Sequence, residues 1–164
     1  MMKKEIFLVL DNIRSCENVG SIFRTADAAG VSKIYLCGIT PRPPHDKISK
    51  TALGAEKYVI WEYHVQTWKV LRKLKVENVK LKVVGLEQTR DSMNIFSAKG
   101  GSASGGNFKP KFPMALVLGN EVNGLSPKIL RYCDKKISIP MYGKKESLNV
   151  SVAAGIGLYW IISA

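Results

Sequence analysis

Apolar residues along the chain fall in short consecutive runs separated by polar, helix-type segments, which predicts strands at Ile6–Leu10, Lys33–Cys37, Tyr58–Trp61, Leu81–Leu86, Ala115–Leu118 and Lys136–Ile139. Runs such as Val83-Val84-Gly85-Leu86 and Ala115-Leu116-Val117-Leu118 are apolar on successive residues, the pattern of strands covered on both faces. Between strands, Val19, Ile22, Phe23 and Ala26 recur at helical spacing, with Asn18 as N-cap and Gly30 as stop, predicting a helix over Asn18–Ala29. A second helix is expected over His64–Glu77, with Val65, Trp68, Leu71 and Leu74 on its inner face. Ser126-Pro127 is an N-cap followed by a first-turn proline. A final helix, preceded by Ser147 as a candidate cap, is apolar nearly all round, so it is either central in the fold or buried against another chain. The alternation predicts an α/β fold, a mostly parallel sheet with helices on both faces, in which ligands bind at the carboxyl ends of the strands.

A chain of 164 residues fits one domain, expected to run over 1–164 with no appended domain. Its 25 Lys+Arg against 13 Asp+Glu leave +12, so a polyanionic partner is expected, either nucleic acid or an acidic membrane surface. Residues 61–115 alone carry 10 basic and 4 acidic side chains, half of that excess, with Lys69, Arg72, Lys73 and Lys75 crowding one helix. Three cysteines form no CxxC pair, which suits a reducing compartment and a cytoplasmic location. The apolar run after Met1-Met2-Lys3-Lys4-Glu5 is too brief for a signal peptide, and the longest apolar stretch, from Val150 to Ile162, is too short to span a bilayer. His45 and His64 have no ligand neighbours at metal-site spacing, so no metal is expected. No GxSxG elbow, P-loop or dinucleotide-binding GxGxxG is present; the glycine- and serine-rich stretch over 97–113 is expected to be a mobile loop.

Three polar segments interrupt apolar elements where a polar residue has a cost. The first, Asn18-Val19-Gly20-Ser21-Ile22-Phe23-Arg24-Thr25-Ala26, opens the first helix, where Gly20 permits close backbone approach. Arg24 is spaced to pair with Asp27 on the helix surface. The second, Leu118-Gly119-Asn120-Glu121-Val122-Asn123-Gly124-Leu125-Ser126, follows an apolar strand and puts the Glu121 carboxylate at a buried strand end, where it needs a partner. The third runs from Ile139 through Met141-Tyr142-Gly143 and Ser147-Leu148-Asn149 into the final helix, and helix capping by Ser147 leaves Asn149 unexplained.

Together, NVGSIFRTADAAG, LVLGNEVNGLS and IPMYGKKESLNVSVAAGI resemble the SpoU/TrmH family of RNA ribose 2′-O-methyltransferases, of the SPOUT superfamily, in order and position. The resemblance covers essentially the whole chain, and Leu86-Glu87-Gln88-Thr89 is also similar. It implies a C-terminal deep trefoil knot, a homodimer with Leu148, Val152, Ile156, Tyr159 and Trp160 at its contact, and S-adenosylmethionine held near Leu86, Gly119, Ile139, Ser147 and Leu148. The family's polar set maps onto Asn18, Arg24, Glu121, Ser147 and Asn149. Arg24 is then expected to pin a substrate phosphate and acidify the ribose hydroxyl, because a guanidinium is a poor proton acceptor. Glu121 would orient Arg24 or the residues of the third segment, Ser147 and Asn149 would fix cofactor and ribose, and Asn18 would support the site. Transfer RNA is the first substrate expected and ribosomal RNA the second; a knotted RNA-binding module without catalysis is the alternative. The His64–Glu77 stripe and Lys99, Lys109 and Lys111 are candidate phosphate contacts.

Overall fold

The computed structural model describes residues 4–97 and 109–164. Seven strands form one sheet: β1 (Ile6–Asp11), β2 (Lys33–Cys37), β3 (Trp61–His64), β4 (Lys82–Leu86), β5 (Met93–Asn94), β6 (Met114–Leu118) and β7 (Lys135–Ser138). Their order is β3-β2-β1-β6-β4-β7-β5 and every pairing is parallel. All carboxyl ends therefore meet on one rim. Among the described residues four α-helices lie between strands, α1 (Cys16–Ala28), α2 (Asp46–Ala52), α3 (Thr67–Glu77) and α4 (Pro127–Leu130), and α5 (Val150–Ser163) follows the last one.

Because successive strand residues point to opposite faces, each apolar strand feeds two cores. Leu8, Leu10, Ile34, Leu36, Leu116 and Leu118 turn toward α1, α2 and α5, with the fully buried Phe23 among them. Val9, Tyr35, Cys37, Val83, Ala115 and Val117 turn toward α3 and α4. The continuous apolar runs are thus explained by helices on both faces, as the pattern predicts.

Several boundaries differ from those expectations, each for a local reason. The first helix begins two residues earlier than expected, because the Ser15 hydroxyl caps it by accepting from the Asn18 backbone N–H at 3.1 Å. Asn18 is therefore inside the helix rather than its cap. The strand expected at Tyr58–Trp61 is β3, displaced to Trp61–His64 because Ala55–Lys57 wind into a 3₁₀ turn. With His64 paired to Cys37 in the sheet, α3 starts at Thr67, and Val65 is 73% exposed rather than on the inner face. The last helix is capped by Asn149, whose Oδ1 accepts from the Ser151 N–H at 2.8 Å, and not by Ser147. The helix α2 and the two-residue strand β5 were not anticipated; both are too short to show a period. The stretch expected to be a mobile loop lies mostly outside the described residues.

Gly20 is where α1 crosses α2. A Cβ there would collide with Thr51 Oγ1 and with the backbone carbonyl of Ile48, so its close approach serves a helix and not a ligand. At Gly155, where α5 crosses α1, an added Cβ would meet only Thr25 Cγ2 at 3.7 Å, an ordinary contact. Gly20→Ala is expected to cost about 1–3 kcal/mol through overpacking, whereas Gly155→Ala should be neutral or stabilising by up to about 1 kcal/mol through helix propensity. Urea unfolding of the two variants checks this contrast.

Candidate active site

Where β4, β6 and β7 end, the chain leaves a cleft of ≈ 390 Å³. Leu86, Leu118, Ile139, Met141, Leu148 and Val150 supply apolar wall, and three carboxylate residues, Glu87, Glu121 and Glu146, share the lining. Among the described residues that line it there is no lysine or arginine, in a chain whose net charge is +12. Leu86, Gly119, Ile139, Ser147 and Leu148, the five positions expected at a cofactor, all lie on this lining.

Glu121 closes the cleft from the side of α1. Its carboxylate accepts from the backbone N–H of Arg14 at 2.9 Å and of Ser15 at 3.1 Å, the two residues that lead into α1, and from Asn18 Nδ2 at 3.2 Å. Burial alone would raise the carboxyl, but these N–H donors outweigh it and hold it below the ordinary carboxylate range. The helix N-terminus favours the same charge. A strand-end carboxylate in need of a partner thus finds it in the unpaired donors that start a helix.

From Glu121 the contact passes on. Asn18 Oδ1 accepts from Asn149 Nδ2 at 3.0 Å, and Asn149 Oδ1 accepts from the N–H of Ser151 and, at 2.6 Å, from its hydroxyl. Each amide uses its nitrogen as donor and its oxygen as acceptor, so one chain of hydrogen bonds joins all three polar segments. On the opposite wall, Glu87 Oε2 accepts from the Leu125 N–H at 2.8 Å and lies against Gly124, whose positive φ of 63° and missing Cβ make the room. Gln88 Nε2 donates to the Ile139 carbonyl at 2.9 Å, tying β4 to the segment after β7. Glu87 was absent from the expected site, although it carries the same signal as Glu121: a carboxylate at the end of a buried strand.

Arg24 is not brought into this cluster. It is exposed, forms no ion pair with Asp27 or any other described residue, and does not line the cleft. Six residues separate it from Asn18, a displacement of ~9 Å along α1 that also turns it to another face. Of the two partners expected for Glu121, the structure brings the third segment into contact with it, through Asn18, and not Arg24. Ser147 is exposed at the rim with no side-chain hydrogen bond to a described residue. No cluster of potential metal ligands occurs among the described residues, and no helix there is long and apolar enough to cross a membrane.

Residues 5–159 match the model of the SpoU rRNA Methylase family. The chain is 35% identical to a tRNA (guanosine(18)-2′-O)-methyltransferase of Aquifex aeolicus, over 96% of its own length and 68% of the relative's. It is 34% identical to the 23S rRNA (guanosine-2′-O-)-methyltransferase RlmB of Vibrio parahaemolyticus, over 94% and 57% of the two chains. The SpoU methyltransferase AviRb from Streptomyces viridochromogenes, solved in complex with the cofactor AdoMet, superposes with a TM-score of 0.84 at 25% identity, covering 99% of this chain and 61% of that one. The chain thus spans about three-fifths to two-thirds of the length of these relatives. With the family model matched over residues 5–159, nearly its whole length, the chain belongs to the SpoU rRNA methylase family.

Proposed function

We propose that this protein transfers a methyl group from S-adenosylmethionine to a ribose 2′-hydroxyl of RNA, with transfer RNA as the first candidate and ribosomal RNA as the second. The observation that carries this reading is the charge of the cleft. Three carboxylates and no basic residue among its described lining, inside a strongly cationic protein, favour a ligand that is itself cationic and disfavour a dinucleotide or other phosphate-rich cofactor. S-adenosylmethionine, with a sulfonium, an ammonium and one carboxylate, is net cationic, which suits the acidic lining, and its flat heterocycle suits the apolar wall of Leu86, Ile139 and Leu148. The relatives support both RNA classes by their names, and the one carrying the tRNA name is matched over the larger share of its own length, 68% against 57%.

When bound, S-adenosylmethionine supplies an electrophilic methyl group. The chain's own residues hold and align what approaches it. Glu121 is committed to Arg14, Ser15 and Asn18, so it acts as a positioning residue that fixes the third segment against the cleft. Ser147 offers a free hydroxyl at the rim. Arg24 pins a phosphate of the substrate and makes the neighbouring 2′-hydroxyl more acidic, its proton leaving to that phosphate or to water.

The exposed position of Arg24 is consistent with this role in a homodimer. Val152 and Tyr159 are 49% and 50% exposed on the outer face of α5, and Leu148, just before the helix, is 38% exposed, apolar area that suits a second copy. Arg24 is next to Thr25, which packs on α5, and can serve the partner's cleft across that contact. We further propose one methyltransferase unit over 1–164, with the chain threaded as a trefoil knot near its C-terminus. Supporting the knot, β6 is inserted between β1 and β4, and β7 between β4 and β5. The free state of Cys16, Cys37 and Cys133 supports a cytoplasmic location.

Arg24→Ala is expected to reduce methyl transfer to RNA at least about a hundredfold while cofactor affinity by calorimetry stays within about twofold of the parent; loss of both together would overturn the assigned role. Val152→Asp combined with Tyr159→Arg should give a monomer in sedimentation and lose transfer. For Glu121 the pH dependence follows from the lowered carboxyl. Its charge adds stability that is complete above the ordinary value of 4.5 and is lost as pH falls through the lower folded value. Glu121→Gln should therefore be less stable by about 1–3 kcal/mol at neutral pH and converge with the parent in acid, measured by urea unfolding across pH.

A further inference from the structure

The basic face on the α3–α4 side of the sheet is distinct from the cleft and from the exposed face of α5. Lys69, Arg72 and Lys73 stand at i, i+3 and i+4 on α3 and are all exposed, Lys73 in a long, solvent-exposed pair with Glu77 at 3.9 Å. Lys75, expected to belong to the same stripe, is instead spent on Asp134 at 2.9 Å. Above the stripe, in the first turn of α3, lies the half-buried ring of Trp68. Lys128 of α4 places its Nζ 4.5 Å from the ring centroid and Lys69 places its own at 5.6 Å. Neither lysine has a carboxylate partner among the described residues.

This cluster is fixed to the same rim as the cleft. Thr67, the residue before Trp68, donates its hydroxyl to the buried Asp11 at the carboxyl end of β1. Lys128 follows the loop whose Leu125 N–H is held by Glu87, itself on the cleft wall. An aromatic ring and two cations are thereby anchored beside the site, on the face opposite the one proposed for the second copy. A ring flanked by unpaired cations can serve a nucleic acid strand: the ring stacks an unpaired base and the ammonium groups meet the adjacent phosphates.

We propose that Trp68, Lys69 and Lys128 form a binding site for an unpaired nucleotide of the substrate RNA flanking the methylated ribose, with Arg72 and Lys73 continuing the phosphate track along α3. The proposal rests on the RNA methyltransferase reading above. It assigns the strand's path to the α3–α4 face, leaving the α5 face to the partner subunit.

The test uses the full chain, bulk transfer RNA and ribosomal RNA as probes, and titrations at several salt concentrations. Trp68→Ala should weaken RNA binding roughly tenfold, and Trp68→Phe should recover most of it. Lys128→Ala with Lys69→Ala should lower the magnitude of the slope of log K against log salt by about 1–2. The double lysine variant changes only exposed side chains, so it remains informative if Trp68→Ala does not fold. In all variants cofactor affinity should stay within about twofold of the parent. Trp68→Phe should also remove part of the tryptophan quenching that RNA produces. Unchanged affinity and slope in the variants, with the parent still methylating RNA, overturns this site alone. A parent that transfers no methyl group to RNA overturns the functional reading beneath it. Lysine-dependent binding to anionic phosphatidylserine vesicles, with none to RNA, overturns the choice of partner.

Discussion

The site depends on one carboxylate placed at the start of a helix. Glu121 leaves the end of β6 with a charge that water would otherwise solvate, and α1 begins with backbone donors that have no partner of their own. Joining the two satisfies both. It also fixes the angle at which α1 leaves the sheet, which sets where Asn18 meets Asn149 and hence where the last segment lies against the cleft. The geometry of the site is therefore inherited from a helix cap.

That arrangement is possible because every strand runs the same way. In an all-parallel sheet the carboxyl ends of β1, β4, β6 and β7 open on one rim, and the polar residues that follow them are gathered without any being close in sequence. The price is that each strand must be apolar on both faces, since α1, α2 and α5 cover one and α3 and α4 the other. Polar groups are consequently confined to strand ends, which is where chemistry can use them.

Charge is divided along the same lines. The cleft collects Glu87, Glu121 and Glu146, while Lys69 and Arg72 on the outer face of α3 and Lys128 on α4 have no carboxylate partner among the described residues. A cationic small ligand and a polyanionic strand can then be sorted to adjacent places on one rim. Like charges would otherwise compete: a lysine in the cleft would repel a sulfonium, and a carboxylate beside Lys69 and Lys128 would repel a phosphate.

Much of this was legible in the sequence, because period and composition are local properties. Consecutive apolar residues at Val83–Leu86 and Ala115–Leu118 announced strands covered on both faces, and the three polar segments carried the family resemblance together with the positions on the cleft lining. Features set by spatial neighbours were not legible. Asn18 reads as a cap and is a relay, since the cap is decided by whether Ser15 can reach back to the Asn18 N–H. Gly20 reads as room for a close approach, and the element that approaches is α2. Glu87 shows the same strand-end signal as Glu121, but its partner, the Leu125 N–H, comes from the loop after β6. Arg24 and Glu121 seem partners as members of one polar set, yet the turn of α1 points them apart. The sequence by itself determined which residues are apolar, which strands are buried and which groups need partners. Only the tertiary structure decided which partners they found, because hydrogen bonds and close packing depend on distances of a few ångströms between elements some hundred residues apart.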